Sequence, residues 1–98
     1  MKDDKDVDKF YTPEDATEAI RNLSAEQKRR LEAAARRRAW FTGDHKGLLY
    51  EAIASTAEGR RRWNRSVDIV RHLDKAMQSI TSNAAKRRKV AADNREEL

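Results

Sequence analysis

The sequence predicts an all-α fold, a compact bundle of about four helices. Apolar residues recur at spacings of three and four along most of the chain, which is the period of one helix face. No segment alternates apolar and polar residues in the way a half-buried strand does. The 98 residues suffice for one domain with a single modest core. We therefore expect a mobile acidic segment over residues 1–11, a helical domain over residues 12–90 and a C-terminal tail over residues 91–98.

The first two helices are predicted by their start signals. A threonine precedes Pro13 and two acidic residues, which combines an N-cap, a first-turn proline and carboxylates near the positive end of the helix dipole. A helix is therefore expected near residues 13–23. Ser24-Ala-Glu-Gln27 has the spacing of a capping box and opens a second helix, expected near residues 25–41. Gly43 is placed to end that helix with a left-handed cap.

The third and fourth helices are predicted in the same way. Asp44 caps a helix expected near residues 45–58, and Gly59 ends it. Ser66 starts the longest helix, expected near residues 66–89, whose basic end suits the negative end of the helix dipole. The centre of the core is expected at the two leucines Leu49 and Leu73. The residues expected in this one core are Leu31, Leu49, Ile53, Val70, Leu73, Met77 and Ile80.

The charge distribution indicates a polyanion as partner. The net charge is +5, but residues 25–92 carry 17 basic against 7 acidic side chains, whereas residues 1–24 carry 4 against 7. A basic domain with acidic ends favours nucleic acid as the partner, and the alternative is a solvated basic surface. The chain has no cysteine, no apolar run of roughly 20 residues and no apolar signal sequence at its start, so we expect a cytoplasmic protein and no membrane partner.

Catalytic and cofactor signals are weak. His45 and His72 are far apart in the sequence, and neither has a set of partners typical of a metal site. Asp68 precedes His72 by four residues, a spacing that most often gives a surface contact on a helix. The sequence contains no glycine-rich phosphate loop and no nucleophile turn. We therefore expect that the protein is not an enzyme and that it has no cofactor and no metal site.

The segment EGRRRWNRSVD, residues 58–68, is the most unusual part of the chain. It carries four arginines and Trp63 at a helix junction. Three interpretations are open: a charged turn with a core anchor, a protein-docking corner, or a nucleic-acid contact. The arginines can bind phosphates, and the indole can stack on an unpaired base or fill a gap between the last two helices. The basic run of residues 86–89 is either a solvated helix end or a binding patch.

Residues 43–89, GDHKGLLYEAIASTAEGRRRWNRSVDIVRHLDKAMQSITSNAAKRRK, resemble region two of bacterial RNA polymerase sigma factors, especially the extracytoplasmic-function type. The similarity lies in an aspartate turn that opens a Leu-Leu helix, a loop with an aromatic residue, and a long helix with a basic end. It extends to roughly residues 16–89. The resemblance implies a transcription module that binds the core polymerase, promoter −10 DNA, or both, without the domain that reads the −35 element.

The resemblance also implies roles for particular residues. The residues that would contact the polymerase clamp are Asp44, Leu48, Glu51 and Ser55. The residues that would contact −10 DNA are Arg60, Arg61, Arg62, Trp63, Arg65, Arg71 and Lys75. One departure from the family is His45-Lys46-Gly47, where many relatives have acidic residues. Two alternatives stay open: a sigma-like regulator that binds polymerase or another protein without reading DNA, and a small helical protein that binds DNA nonspecifically.

Overall fold

The chain folds into four helices in the computed structural model, which describes the backbone of residues 9–40 and 43–96 and the side chains up to residue 87. The helices are α1 (Pro13–Arg21), α2 (Ala25–Arg38), α3 (His45–Ala57) and α4 (Ile69–Glu96). The only β pairing within these residues is an isolated antiparallel bridge. The predicted all-α bundle is therefore confirmed.

Local signals place the starts of the first three helices as predicted. Ser24 and Gln27 form the expected capping box, in which the Gln27 amide donates to the Ser24 hydroxyl at 3.1 Å and the Ser24 amide donates to the Gln27 side chain at 2.8 Å. The Asp44 carboxylate accepts a hydrogen bond from the amide of Gly47 at 3.0 Å. Gly59 has a φ of 82°, the left-handed backbone that favours glycine after a helix. Gly43 also has a positive φ, 74°, but α2 ends at Arg38 with Ala39 as its C-cap, so the prediction that Gly43 ends this helix was wrong.

The fourth helix begins three residues later than predicted. α4 starts at Ile69, whereas Ser66 was expected to cap it. The side chain of Asn64 explains the difference, because its Oδ1 accepts hydrogen bonds from the amide and the hydroxyl of Ser66, at 2.9 and 2.7 Å. This local turn engages the hydroxyl that would otherwise cap the helix. At its other end α4 continues to Glu96, beyond the expected end near residue 89.

One apolar core joins the helices. Leu31, Leu73 and Met77 are fully buried, and small alanines from α2, α3 and α4 pack between them. All seven predicted core residues lie in this cluster or against it, but Leu49 is only half-buried, while its neighbour Leu48 is buried. The prediction of Leu49 at the centre was therefore wrong. α3 presents the face of Leu48, Ala52, Ser55 and Thr56 to the core, which is rotated by one residue from the expected face.

Two polar links between helices fix the position of α4. Arg38 of α2 donates two hydrogen bonds to the Asp74 carboxylate, at 2.7 and 3.2 Å. These hydrogen bonds lower the pKa of the Asp74 carboxyl and raise the pKa of the Arg38 guanidinium. On the other side of α4, Nε2 of His72 lies 3.0 Å from the hydroxyl of Thr56 on α3. The start of α4, and with it the preceding loop, is thus tied to both neighbouring helices.

Candidate nucleic-acid interface

The loop between α3 and α4 leaves α3 through a turn built on backbone hydrogen bonds. The amides of Arg60 and Arg61 both donate to the carbonyl oxygen of Ser55, at 2.9 and 3.1 Å. These bonds satisfy a carbonyl at the C-terminal end of α3 that has no partner within the helix. Gly59 provides the positive φ that the reversal requires. The arginine run therefore begins at a fixed turn rather than in a loose loop.

A short N-terminal segment pairs with the second half of this loop. The amide of Tyr11 donates to the carbonyl of Trp63 at 2.8 Å, and the amide of Arg65 donates to the carbonyl of Lys9 at 3.0 Å. Between them, Phe10 and Asn64 form the antiparallel bridge. Residues 9–11 were predicted to belong to a mobile segment. Their pairing with the loop shows instead that the folded part of the chain begins before residue 12. The rest of that prediction, residues 1–8, lies outside the described residues.

Trp63 anchors the loop to the body of the protein. Its ring is half-buried against the core, and its Nε1 donates to the carbonyl of Val67 at 2.7 Å. The Tyr11 ring packs on it, with a centroid distance of 4.1 Å and an interplanar angle of 34°. One face of the indole is thus occupied by another side chain. This geometry favours the core-anchor interpretation of Trp63 and limits the area that a nucleic-acid base can reach.

The arginines of the loop extend from the segment that Trp63 anchors. The guanidinium of Arg62 lies over the Phe10 ring at 4.6 Å and that of Arg65 lies over the Tyr11 ring at 4.9 Å, both within cation–π range. Arg60 is exposed and paired with Glu58 at 2.7 Å. We call this group the arginine–aromatic corner; its residues are Phe10, Tyr11, Arg60, Arg61, Arg62, Trp63 and Arg65.

A small cavity lies between the corner and the start of α1. Its volume is about 140 Å³, and aromatic rings and Pro13 form much of its wall. Arg61 and Arg62 also line it, so it combines apolar walls with two guanidinium groups. The corner therefore presents both cationic and planar apolar surface, the two kinds of group that contact phosphates and bases.

His72 lies beside the loop, in surroundings that disfavour its charged form. Burial lowers its pKa, and the positive charge of Arg61 lowers it further. The Thr56 hydroxyl lies within hydrogen-bond distance of both the carbonyl oxygen of Ala52, at 2.9 Å, and Nε2 of His72, at 3.0 Å. Within the described part of the chain, no three histidine, cysteine or acidic side chains cluster as a metal site requires. His72 is therefore a structural link between α3 and α4.

The remaining residues predicted to bind DNA lie on α4. Arg71 and Lys75 are both exposed and, four residues apart, share one face of the helix. They lie in the first turns of α4, which begins directly after the corner. The fold thus brings the seven predicted DNA-binding residues to one end of the bundle, five in the corner and two on the adjoining helix face.

The residues predicted to contact polymerase are divided by the fold. Asp44 and Glu51 are exposed and line a shallow groove of about 230 Å³ between α3 and α4. Leu48 and Ser55 are only 7% and 4% exposed, because they lie on the core face of α3. Their side chains are not available to a partner, and the predicted contact surface is reduced to the two carboxylates and their surroundings.

Two residues of the corner were not predicted as site residues from the sequence. Phe10 and Tyr11 were assigned to a mobile segment, although two consecutive aromatics in an otherwise acidic stretch were a signal that this stretch packs against something. Trp40 and Tyr50, which are 81% and 73% exposed, were likewise not predicted to contact another molecule. Large aromatic side chains with that exposure are candidates for contacts with other molecules.

Comparisons with known proteins identify no family for this chain. Neither family models, nor curated protein sequences, nor solved structures give a match to this chain. Within the described residues, no helix is both long enough and apolar enough to span a membrane.

Proposed function

We propose that this protein is a sigma region-two-like transcription module that binds promoter −10 DNA through the arginine–aromatic corner and the adjoining face of α4. The observation that carries this proposal is that the corner's exposed arginines extend from a loop that is anchored to the rest of the fold. Arg62 and Arg65 each lie over an aromatic ring, on a loop that pairs with residues 9–11. Cations positioned in this way lose little conformational freedom when they bind phosphates.

The charge of the corner supports a polyanion over plain solvation. Four arginines occur within residues 60–65, and the one ion pair found for them among the described residues joins Arg60 to Glu58. Like charges at this density repel each other, and phosphates would relieve the repulsion.

Contact with the core polymerase forms the second part of the proposal. Asp44 and Glu51 stand at a groove that is also lined by the apolar side chains of Ile80 and Ala84. An apolar groove with carboxylates beside it suits a helix that carries both apolar and basic side chains. A pull-down with core polymerase, using the parent and Glu51→Lys, tests this part; equal capture of both would exclude Glu51 from the contact.

The DNA-binding part is tested with two variants of matched charge. The corner variant replaces Arg60, Arg62 and Arg65 with glutamine. The control variant replaces three exposed cations of α2 with glutamine, namely Lys28, Arg29 and Arg36. Both variants lose three positive charges, so a general effect of net charge acts on them equally.

The corner variant should bind a single-stranded −10-like oligonucleotide more weakly than the control. Its plot of log affinity against log salt should also be flatter by up to about 2, because three phosphate contacts each contribute roughly 0.7 on single strands. The measurement is a titration with labelled oligonucleotide at several salt concentrations. A corner variant that matches the parent in both affinity and slope would refute the proposal.

The nature of the DNA substrate separates the alternatives. A −10-like single strand bound more tightly than a scrambled one supports the sigma-like module. Equal binding to any duplex supports a nonspecific DNA-binding protein instead. Capture of polymerase without binding to either DNA supports a regulator that acts through protein contacts.

A further inference from the structure

A polar stripe extends from the corner along α4. Arg71, Lys75, Gln78 and Ser82 follow one another at spacings of four, three and four, and all four are exposed. This spacing places them on one face of the helix. From the first to the last, the stripe extends over eleven residue steps, about 16 Å at the rise of an α-helix. Its side chains are cations and neutral hydrogen-bonding groups, which both contact the backbone of nucleic acids.

The stripe ends in a groove that holds an exposed tryptophan. Gln78 and Ser82 line this groove from α4, and Arg37 and Trp40 line it from the end of α2; its volume is about 500 Å³. Trp40 is 81% exposed. The ion pair from Arg38, which also lines the groove, fixes the end of α2 against α4. Trp40 therefore stands just beyond an anchored helix end, beside the polar stripe.

We infer that a single strand of nucleic acid bound at the corner continues along the stripe and stacks an unpaired base on Trp40, with Arg37 near its phosphate. The inference rests on the proposed function, since the corner is where the strand enters. Two features support it. The positive charges of Arg71 and Lys75 lie between the corner and the groove of Trp40, and Gln78 and Ser82 belong to both the stripe and that groove.

The chemistry of the groove favours a base over an apolar protein segment. Apart from Trp40 and Ala85, its lining is charged or hydrogen-bonding. The centre of a protein interface is usually an apolar pocket with few charges, whereas a ring among arginines is typical of surfaces that bind single strands. A base in an intact duplex is stacked on its neighbours, so an aromatic platform of this kind selects an unpaired base.

Tryptophan fluorescence gives a direct test, because the chain has two tryptophans. Trp63→Phe leaves Trp40 as the only fluorophore and retains a ring at the anchor. This variant is titrated with labelled oligonucleotides of about 4 and about 16 nucleotides, the range of common single-strand site sizes. The label's anisotropy reports binding, and the indole reports stacking. We expect the longer strand to quench Trp40 and the shorter one, bound at the corner, to leave it unchanged.

Truncation of the ring gives the matching affinity test. Trp40→Ala should weaken binding of the longer strand by roughly 5- to 150-fold, the range measured for one stacked base. Tyr50→Ala is the control, because Tyr50 is 73% exposed but lies in a different groove, between α2 and α3. It should bind like the parent. Melting curves of both variants should match the parent, since both side chains are largely exposed.

The outcomes distinguish this inference from the proposed function. If the corner variant loses binding but Trp40→Ala behaves like Tyr50→Ala, the path to Trp40 is refuted and the corner stands. If the longer strand binds but does not quench the fluorescence of Trp40, the path is refuted equally. A blunt duplex that quenches Trp40 as strongly as the single strand overturns the choice of an unpaired base. A parent protein that binds neither oligonucleotide refutes both the corner and the path.

Discussion

Trp63→Ala should lower the stability of the whole protein before it affects any contact with DNA. The change removes the hydrogen bond to Val67 and the ring contact with Tyr11 at 4.1 Å. A hydrogen bond contributes about 1 kcal/mol and an aromatic pair about 0.5–1.5 kcal/mol. With the lost packing against the core, we expect a total of about 2–4 kcal/mol. This is somewhat less than the cost for a fully buried tryptophan, because the ring is half-buried.

Urea unfolding followed by circular dichroism measures this loss. Trp63→Phe is the matched control, since it retains an aromatic ring and loses the hydrogen bond, so its cost should be nearer 1 kcal/mol. A double-mutant cycle with Tyr11→Ala isolates the ring pair and should give a coupling of about 0.5–1.5 kcal/mol. For a domain of this size, the loss in Trp63→Ala is a large part of the total stability.

The result that refutes this reasoning is specific. If Trp63→Ala unfolds at the urea concentration of the parent but binds single-stranded DNA much more weakly, the ring is a base-stacking platform and not an anchor. Zero coupling between Trp63 and Tyr11 would show that their contact does not hold the N-terminal segment. Binding must therefore be measured at a temperature where every variant is folded.

Three further predictions follow from the core, from a histidine and from a turn. Leu73→Ala should cost about 2–5 kcal/mol in urea unfolding and Leu49→Ala distinctly less, because Leu73 is fully buried and Leu49 is not; equal losses would mean that the phase of α3 is misassigned. Burial lowers the pKa of His72 in the folded protein, so stability should be complete above its ordinary value near 6.5 and fall as the pH decreases below it. This part of the pH dependence should disappear in His72→Gln. A plot of unfolding free energy against pH identical to that of the parent would contradict the role given to His72. Gly59→Ala should cost about 1–2 kcal/mol, because φ is 82° and the new Cβ would lie 3.1 Å from Cγ of Pro13; an unchanged melting temperature would show that the turn adapts without strain.

Local chemistry explains why the helix starts could be predicted. The Ser24–Gln27 capping box and the Asp44 cap depend on side chains and amides within three residues of each other. The positive φ at Gly59 likewise follows from the residue type and its place after a helix. The one wrong start, at Ser66, failed for an equally local reason, since a competing turn engaged its hydroxyl.

The face of α3 that enters the core could not be predicted in the same way. Leu48, Leu49, Ala52 and Ile53 make a broad apolar surface, and several rotations of the helix bury most of it. The choice between Leu48 and Leu49 depends on the shapes of α2 and α4, which pack on either side. That choice also determined which predicted polymerase contacts remain exposed.

The sequence alone determined the helical class, the caps, the four arginines at a helix junction and the basic character of the middle of the chain, because each depends on residue type or on neighbours within one helical turn. The tertiary structure alone decided that Lys9, Phe10 and Tyr11 pair with residues 63–65 and carry aromatic rings beneath two arginines. Those partners are more than fifty residues apart, and helical periodicity contains no information about which distant segments meet. The corner therefore exists only once the core has brought α1, α3 and α4 together.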